Sequence, residues 1–154
     1  MNKYARHKAR ALVIQALYQW QITGDNFVVL ESQFAEYLNP RKVEVDYFKR
    51  TLLGCLTHYA DLLQLIVVLA QRNAEHLTLV EKSVMLLATY ELKFNLDIPY
   101  EVVINEALEL DKKFGSLDGY RVVNAVLDQA AKQLRKIEYD TYTKKQHRMD
   151  KAQN

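Results

Sequence analysis

Apolar residues recur every three or four positions along most of the chain, and alternation with a period of two is scarce. That pattern predicts an all-α protein of about seven helices. A first helix runs from about Lys3 to Ile22, with apolar residues at 5, 9, 12, 13, 16, 17 and 20, and ends near Thr23-Gly24-Asp25. A second, over about 26–38, places Phe27, Leu30, Phe34 and Leu38 on one face, and Asn39-Pro40 stops it. Val45, Phe48, Leu52, Cys55, Tyr59, Leu62, Ile66 and Leu69 then alternate spacings of three and four, which predicts one long helix packed along a single seam. After a break over about 72–77, Thr78-Leu79-Val80-Glu81 reads as a capping box. The SVMLLA stretch behind it is apolar nearly all round, as a central buried helix requires. Pro99 suits the first turn of the next helix, which stops at Gly115, and Ser116 is a natural N-cap for the one after it. Beyond about Ile137 the sequence YDTYTKKQHRMDKAQN is polar, basic and without pattern, so residues 138–154 read as a mobile tail. The expected body is residues 1–137, in two helical halves of about 1–72 and 73–137.

Charge adds a direction to this picture. The formal net charge is only +2, but residues 1–24 hold four Lys/Arg and no acid, and residues 132–154 hold seven Lys/Arg against three acids. The body between them is acidic, so a polyanion site should draw on the ends. One cysteine excludes an intramolecular disulfide and fits a reducing, cytoplasmic setting. The basic start is followed by an amphipathic stretch, not the continuous apolar run of a signal peptide, and no run approaches the roughly 20 residues that span a bilayer.

Catalytic chemistry finds little support. His7, His58, His76 and His147 show no metal-ligand spacing, and no phosphate-binding glycine loop or nucleophile elbow is present. No cofactor and no metal are implied. Cys55 lies on the apolar seam and reads as core. Glu91, just after the apolar stretch, reads as a carboxylate bonded to neighbouring helix ends or to a tyrosine.

Binding finds more. On a helical wheel, Ala9, Leu12, Val13, Ala16 and Trp20 share one sector of the first helix, while Lys3, His7, Arg10, Ile14 and Tyr18 fall opposite, with Lys8 and Gln15 at the edge and Arg6 near the boundary. Cations at fixed spacing neutralise phosphates, and Tyr18 offers a face on which an unpaired base stacks. An ordinary solvated face would look the same. Ile14 on that face is either a stray surface residue or a protein contact. The start of the last helix, with Ser116, Asp118, Tyr120 and Arg121, repeats the cation-plus-aromatic set, although Asp118 can occupy the helix end and repel phosphate, so the pattern alone favours capping.

Taken together, ARHKARALVIQALYQWQ, VEKSVMLLATYEL and DIPYEVVINEALELDKKFGSLDGYRVVNAVLD resemble the NusB family of bacterial transcription antitermination factors, over about Arg6 to Leu134. The resemblance implies two perpendicular helical subdomains and an RNA-binding protein, not an enzyme. It implies binding of the boxA element of nascent ribosomal RNA together with NusE, a small-subunit ribosomal protein, within a complex of RNA polymerase and other Nus factors. By position it assigns Arg6, His7, Lys8 and Arg10, with Asp118 and Arg121, to RNA, and Glu75 and Glu81 to NusE; Lys3 and Tyr18 join the RNA set from the wheel, and Tyr120 from the start of the last helix. Many relatives carry an aromatic where this chain has Val122, which leaves Tyr120 as the nearest substitute. Some relatives hide the RNA face in a homodimer. The alternatives are an accessory domain of an RNA methyltransferase, against which the chain's length and the want of an α/β cofactor segment argue, and a helical protein–protein adaptor.

Overall fold

The computed structural model describes residues 3–153. Among them lie eight α-helices, two short 3-10 turns and no strand. The helices are α1 (Lys3–Thr23), α2 (Phe27–Phe34), α3 (Val45–Thr57), α4 (Tyr59–Ala70), α5 (Leu79–Phe94), α6 (Tyr100–Phe114), α7 (Leu117–Leu134) and α8 (Lys136–Gln153). The all-α expectation holds, and the centre of the molecule is where the sequence places it. Every residue of α5 from Ser83 to Leu92 is buried, because α1, α3, α4, α6 and α7 all pack against it. A helix apolar on all faces has no other stable position in water.

The caps are those the sequence signals. Thr78 Oγ1 accepts from Glu81 N at 3.0 Å, and Glu81 Oε2 accepts from Thr78 N at 2.9 Å, which closes the capping box of α5. Ser116 Oγ accepts from Gly119 N at 3.0 Å at the head of α7.

Three elements depart from expectation. The long seam helix is two helices, α3 and α4, bent by 73° at His58. Its apolar seam continues across the bend through Leu52, Cys55, Leu62 and Ile66, so each piece meets α5 separately and the sequence pattern is unbroken. Gly54 allows α3 to approach α5 closely: a Cβ there would lie 2.3 Å from the Tyr90 ring. The second predicted helix ends early, and Ala35–Tyr37 tightens into a 3-10 turn. The segment read as a tail forms α8, held at its base by Tyr139, whose ring centroid is 5.2 Å from that of Tyr100, and by Tyr142, edge-on to Tyr100 at 5.7 Å. Only this base touches the body, which is why no apolar period marks the rest.

No single helix among the described residues is long and apolar enough to cross a membrane.

Candidate nucleic-acid interface

α1 lies between α3 and α5 and is buried on two sides. Its buried set is Ala5, Ala9, Val13, Ala16 and Leu17 together with Arg10 and Ile14, so the exposed face is narrower than the wheel suggests. Ile14 is core, not a surface oddity.

Arg10 is the main correction. It is 3% exposed and cannot reach a phosphate. Its Nε and Nη2 donate to the Glu91 carboxylate at 3.0–3.1 Å, and Nη1 lies 3.6 Å from Glu106. Tyr47 donates its hydroxyl to the same Glu91 carboxylate, and Asn95 donates to the Tyr47 oxygen at 3.3 Å. Burial works to lower the Arg10 pKa, but the Glu91 carboxylate outweighs it and keeps the guanidinium above its ordinary value. Burial and Glu91 push the Tyr47 phenol well up. The expectation of a tyrosine bonded to Glu91 is met; the arginine across the core was not foreseen.

Two further residues of the amino-terminal set, Arg6 and His7, are engaged with acids. Arg6 donates from Nε and Nη2 to Glu44 at 2.7 and 2.8 Å and stacks on the Tyr47 ring at 4.4 Å. The hydrogen bond from Arg6 holds the Glu44 carboxyl below its usual range. His7 pairs through Nδ1 with Glu106, with Glu109 close by.

What remains open to solvent is a stripe along α1. Lys3, Tyr4, Gln15, Tyr18 and Ile22 are exposed, and Lys8 is half-buried with Nζ 5.0 Å from the centre of the Tyr4 ring. Spacings of three, four and seven keep Tyr4, Lys8, Gln15, Tyr18 and Ile22 on one side of the helix over about five turns, with Lys3 at its edge. At its far end the stripe enters an apolar groove of about 670 Å³ lined by Tyr18, Ile22, Phe34, Tyr37, Val80 and Phe114 among others. Phe114 ends α6, so the groove leads to the head of α7, where Asp118 and Arg121 are exposed and Tyr120 is half-buried with Lys112 Nζ 5.3 Å from its ring centre. Of the predicted residues, Lys3, Lys8 and Tyr18 are accessible along α1, with Tyr18 at the groove; Asp118, Tyr120 and Arg121 lie at the head of α7, and Arg6, His7 and Arg10 are engaged with acids. Sequence alone places Phe34 and Phe114 on apolar helix faces and gives no signal for Tyr37 or Val80, so the groove itself is visible only in the fold.

A family model described as "NusB family" matches residues 7–132. The chain is 41% identical to the transcription antitermination protein NusB of Pseudoalteromonas translucida, over 88% of this chain and all of that protein. It is 43% identical to that of Shewanella loihica, over 83% of this chain and 96% of that one. A solved structure of T. maritima NusB superposes with a TM-score of 0.76 at 31% identity, covering 88% of this chain and 96% of that one. The chain belongs to the NusB family.

Within this NusB fold, the two residues expected to face a protein partner differ in access. Glu75 is exposed on the 3-10 turn Ala74–His76. Glu81 is 7% exposed, since its carboxylate is engaged in the capping box and the head of α7 lies over it. A Cβ at Gly119 would lie 2.9 Å from Glu81 Oε1. Glu81 therefore acts first on the α5–α7 junction.

A second buried acid sits beside it. Asp111 on α6 is fully buried, and neither carboxylate oxygen has a hydrogen-bond partner among the described residues. Burial, and after it the Glu81 carboxylate, raises its pKa to about 6. The folded protein then holds this proton more tightly than the unfolded chain does. The stabilising contribution is complete below the ordinary Asp value and is lost as pH rises through about 6. Asp111→Asn removes the charge at nearly constant shape. It should raise stability near neutral pH by on the order of 2 kcal/mol and leave it unchanged near pH 4. Thermal melts of the two proteins at both pH values measure this; equal gains at both would refute the assignment.

Proposed function

We propose that this chain acts in transcription antitermination by holding single-stranded boxA-type RNA along the exposed stripe of α1, together with the ribosomal protein NusE and, through them, RNA polymerase and the other Nus factors. The antitermination role follows from membership of the NusB family. The RNA reading is carried by one observation: Lys3, Tyr4, Lys8 and Tyr18 lie on a single exposed side of α1 that runs to the head of α7, where Arg121 stands in solvent. A flexible strand meets cations first and a stacking ring next, which suits unpaired RNA better than an A-form duplex. The apolar groove beside Tyr18 and the exposed Glu75 each support a protein partner. Nothing in this set of residues forms a nucleophile–base pair, and the role is one of binding.

Lys3, Lys8 and Arg121, three cations without a carboxylate partner among the described residues, would neutralise about three phosphates. The log–log salt slope for a short boxA-like strand should then be about −2. Tyr18→Ala should weaken that RNA by about fivefold to a hundredfold, the worth of one stacked base, while leaving the melting temperature near that of the wild type, since Tyr18 is 42% exposed. Fluorescence anisotropy with and without NusE reads both. A slope near zero with folded protein would sink the RNA reading. A homodimer dissociated by RNA, seen by light scattering, would add a competing use of the same face.

A further inference from the structure

We propose that α8 is a second RNA-binding element, an outward-facing basic helix that grips the strand where it continues past the α1 stripe. This rests on the RNA reading above and extends its footprint.

Three observations lead there. First, α8 lies almost wholly beyond the residues that the NusB family model matches, which end at 132, so the family core does not explain it. Second, its charges are sorted. At 100° per residue, Lys144, Lys145, Arg148 and Lys151 fall within about a third of the helix circumference. Tyr139 and Tyr142, the residues that hold α8 to Tyr100, fall on the opposite side. The cations therefore point away from the body, and residues 140–153 are all exposed. From residue 141 onward the only acid is Asp150, which the same wheel places away from the basic arc. A merely solubilising helix needs no such sorting.

Third, the base of α8 stands at the same end of the molecule as the start of α1. Arg135, directly before α8, donates to the carbonyls of Asn95 and Ile98 in the α5–α6 turn at 2.9 Å each. Asn95 from that turn reaches the Tyr47 hydroxyl, and Arg6 lies over the Tyr47 ring. The first turns of α1, which carry Lys3 and Arg6, are thereby tied through Tyr47 and this turn to the root of α8, where a strand leaving Lys3 would continue. An α-helix of 18 residues is about 27 Å long, enough to follow several further nucleotides. Continuity with the α1 stripe favours RNA over an acidic protein as the occupant.

The test uses two RNAs, a short boxA-like strand and the same strand with unstructured flanks on both sides, each titrated by anisotropy with full-length protein and NusE. The variant carries K144Q, K145Q, R148Q and K151Q together. These side chains are all exposed, and circular dichroism and thermal melting check that the fold is kept. In the wild type the flanks should tighten binding by about tenfold or more at low salt and steepen the salt slope by about 3, as four added phosphate contacts require. The variant should lose that gain and bind the short strand as the wild type does. Equal binding of both RNAs by the wild type, or an undiminished gain in the variant, overturns the proposal and leaves the α1 reading standing. Failure of the wild type to bind either RNA overturns both. Equal binding of both RNAs combined with capture of polyglutamate through α8 would assign the helix to an acidic protein instead, again against the proposal.

Discussion

Glu91→Ala should destabilise the protein by about 3–5 kcal/mol, the range for removing one partner of a buried ion pair. The carboxylate is 1% exposed and accepts from the Arg10 guanidinium and from the Tyr47 hydroxyl. Its loss leaves a cation in the core with only Glu106, 3.6 Å away, and a phenol without its acceptor. Arg10→Met should cost a comparable amount, because the carboxylate then keeps a single neutral donor. The double variant Arg10→Met with Glu91→Leu removes both charges together and should be less destabilised than either single one. Urea unfolding measures all three, and a double variant that loses the sum of the singles would contradict the coupling. The RNA side of the prediction separates two roles for Arg10. A phosphate contact would lower affinity for every RNA sequence alike, whereas a core arginine leaves affinity unchanged when compared at equal folded fraction. The second outcome is expected.

That arginine also marks the point at which the sequence stops being legible. Periodicity places α1, α6 and α7, the apolar run SVMLLA places α5, and the Thr78–Glu81 and Ser116 signals fix the starts of α5 and α7, because caps and apolar faces are local properties. Arg10 and Ile14 were assigned outward because a helix was granted one buried side, whereas α1 has two. The partner that makes a buried guanidinium tolerable is 81 residues away, on a helix that the wheel of α1 does not include. The bend at His58 is hidden for a related reason: a turn that keeps the apolar seam facing inward leaves no mark on the spacing. α8 is the reverse case, a helix made visible only by its contacts with Tyr100, since nothing along most of its length is buried. The accessible residues of α1 are legible one by one in the sequence, but their surroundings are not. Tyr18 was identified, but the groove that it opens into draws on α2, α5 and α6 as well as on the Ala35–Tyr37 turn, and only the tertiary fold joins them.

Arg135→Ala should cost about 3–5 kcal/mol and should loosen two elements together. The guanidinium is 5% exposed, and all five of its N–H groups are used. Nε donates to Leu92 O at 2.6 Å, Nη1 to Ile98 O at 2.9 Å and to Glu138 Oε2 at 2.7 Å, and Nη2 to Glu91 O at 3.2 Å and to Asn95 O at 2.9 Å. These carbonyls lie at the end of α5 and in the turn that follows, where helix termini leave acceptors short of donors; Glu91 O and Asn95 O also accept from Asn95 N and Ile98 N at 3.0 Å each. Without Arg135, four buried or half-buried carbonyls lose a charged donor, and charge-assisted bonds of this kind are worth roughly 1.5–3 kcal/mol each before the surroundings relax. Lysine cannot substitute, since a single ammonium carries three donors on one atom and cannot span carbonyls spread from residue 91 to 98. Arg135→Lys should therefore recover less than half of the loss. The same residue fixes the start of α8 through Glu138, which in turn accepts from Tyr100 N at 2.9 Å. Hydrogen exchange in Arg135→Ala should quicken at Tyr100–Val103 and throughout the first turns of α8, while the amides of α1 and α3 keep their wild-type rates relative to global unfolding. Uniform quickening across the protein would show that Arg135 sets overall stability alone and does not lock this corner. If the corner does open, the flanked RNA should lose its added affinity in this variant as well, because a basic helix helps a long strand only while its root is held beside the amino end of α1.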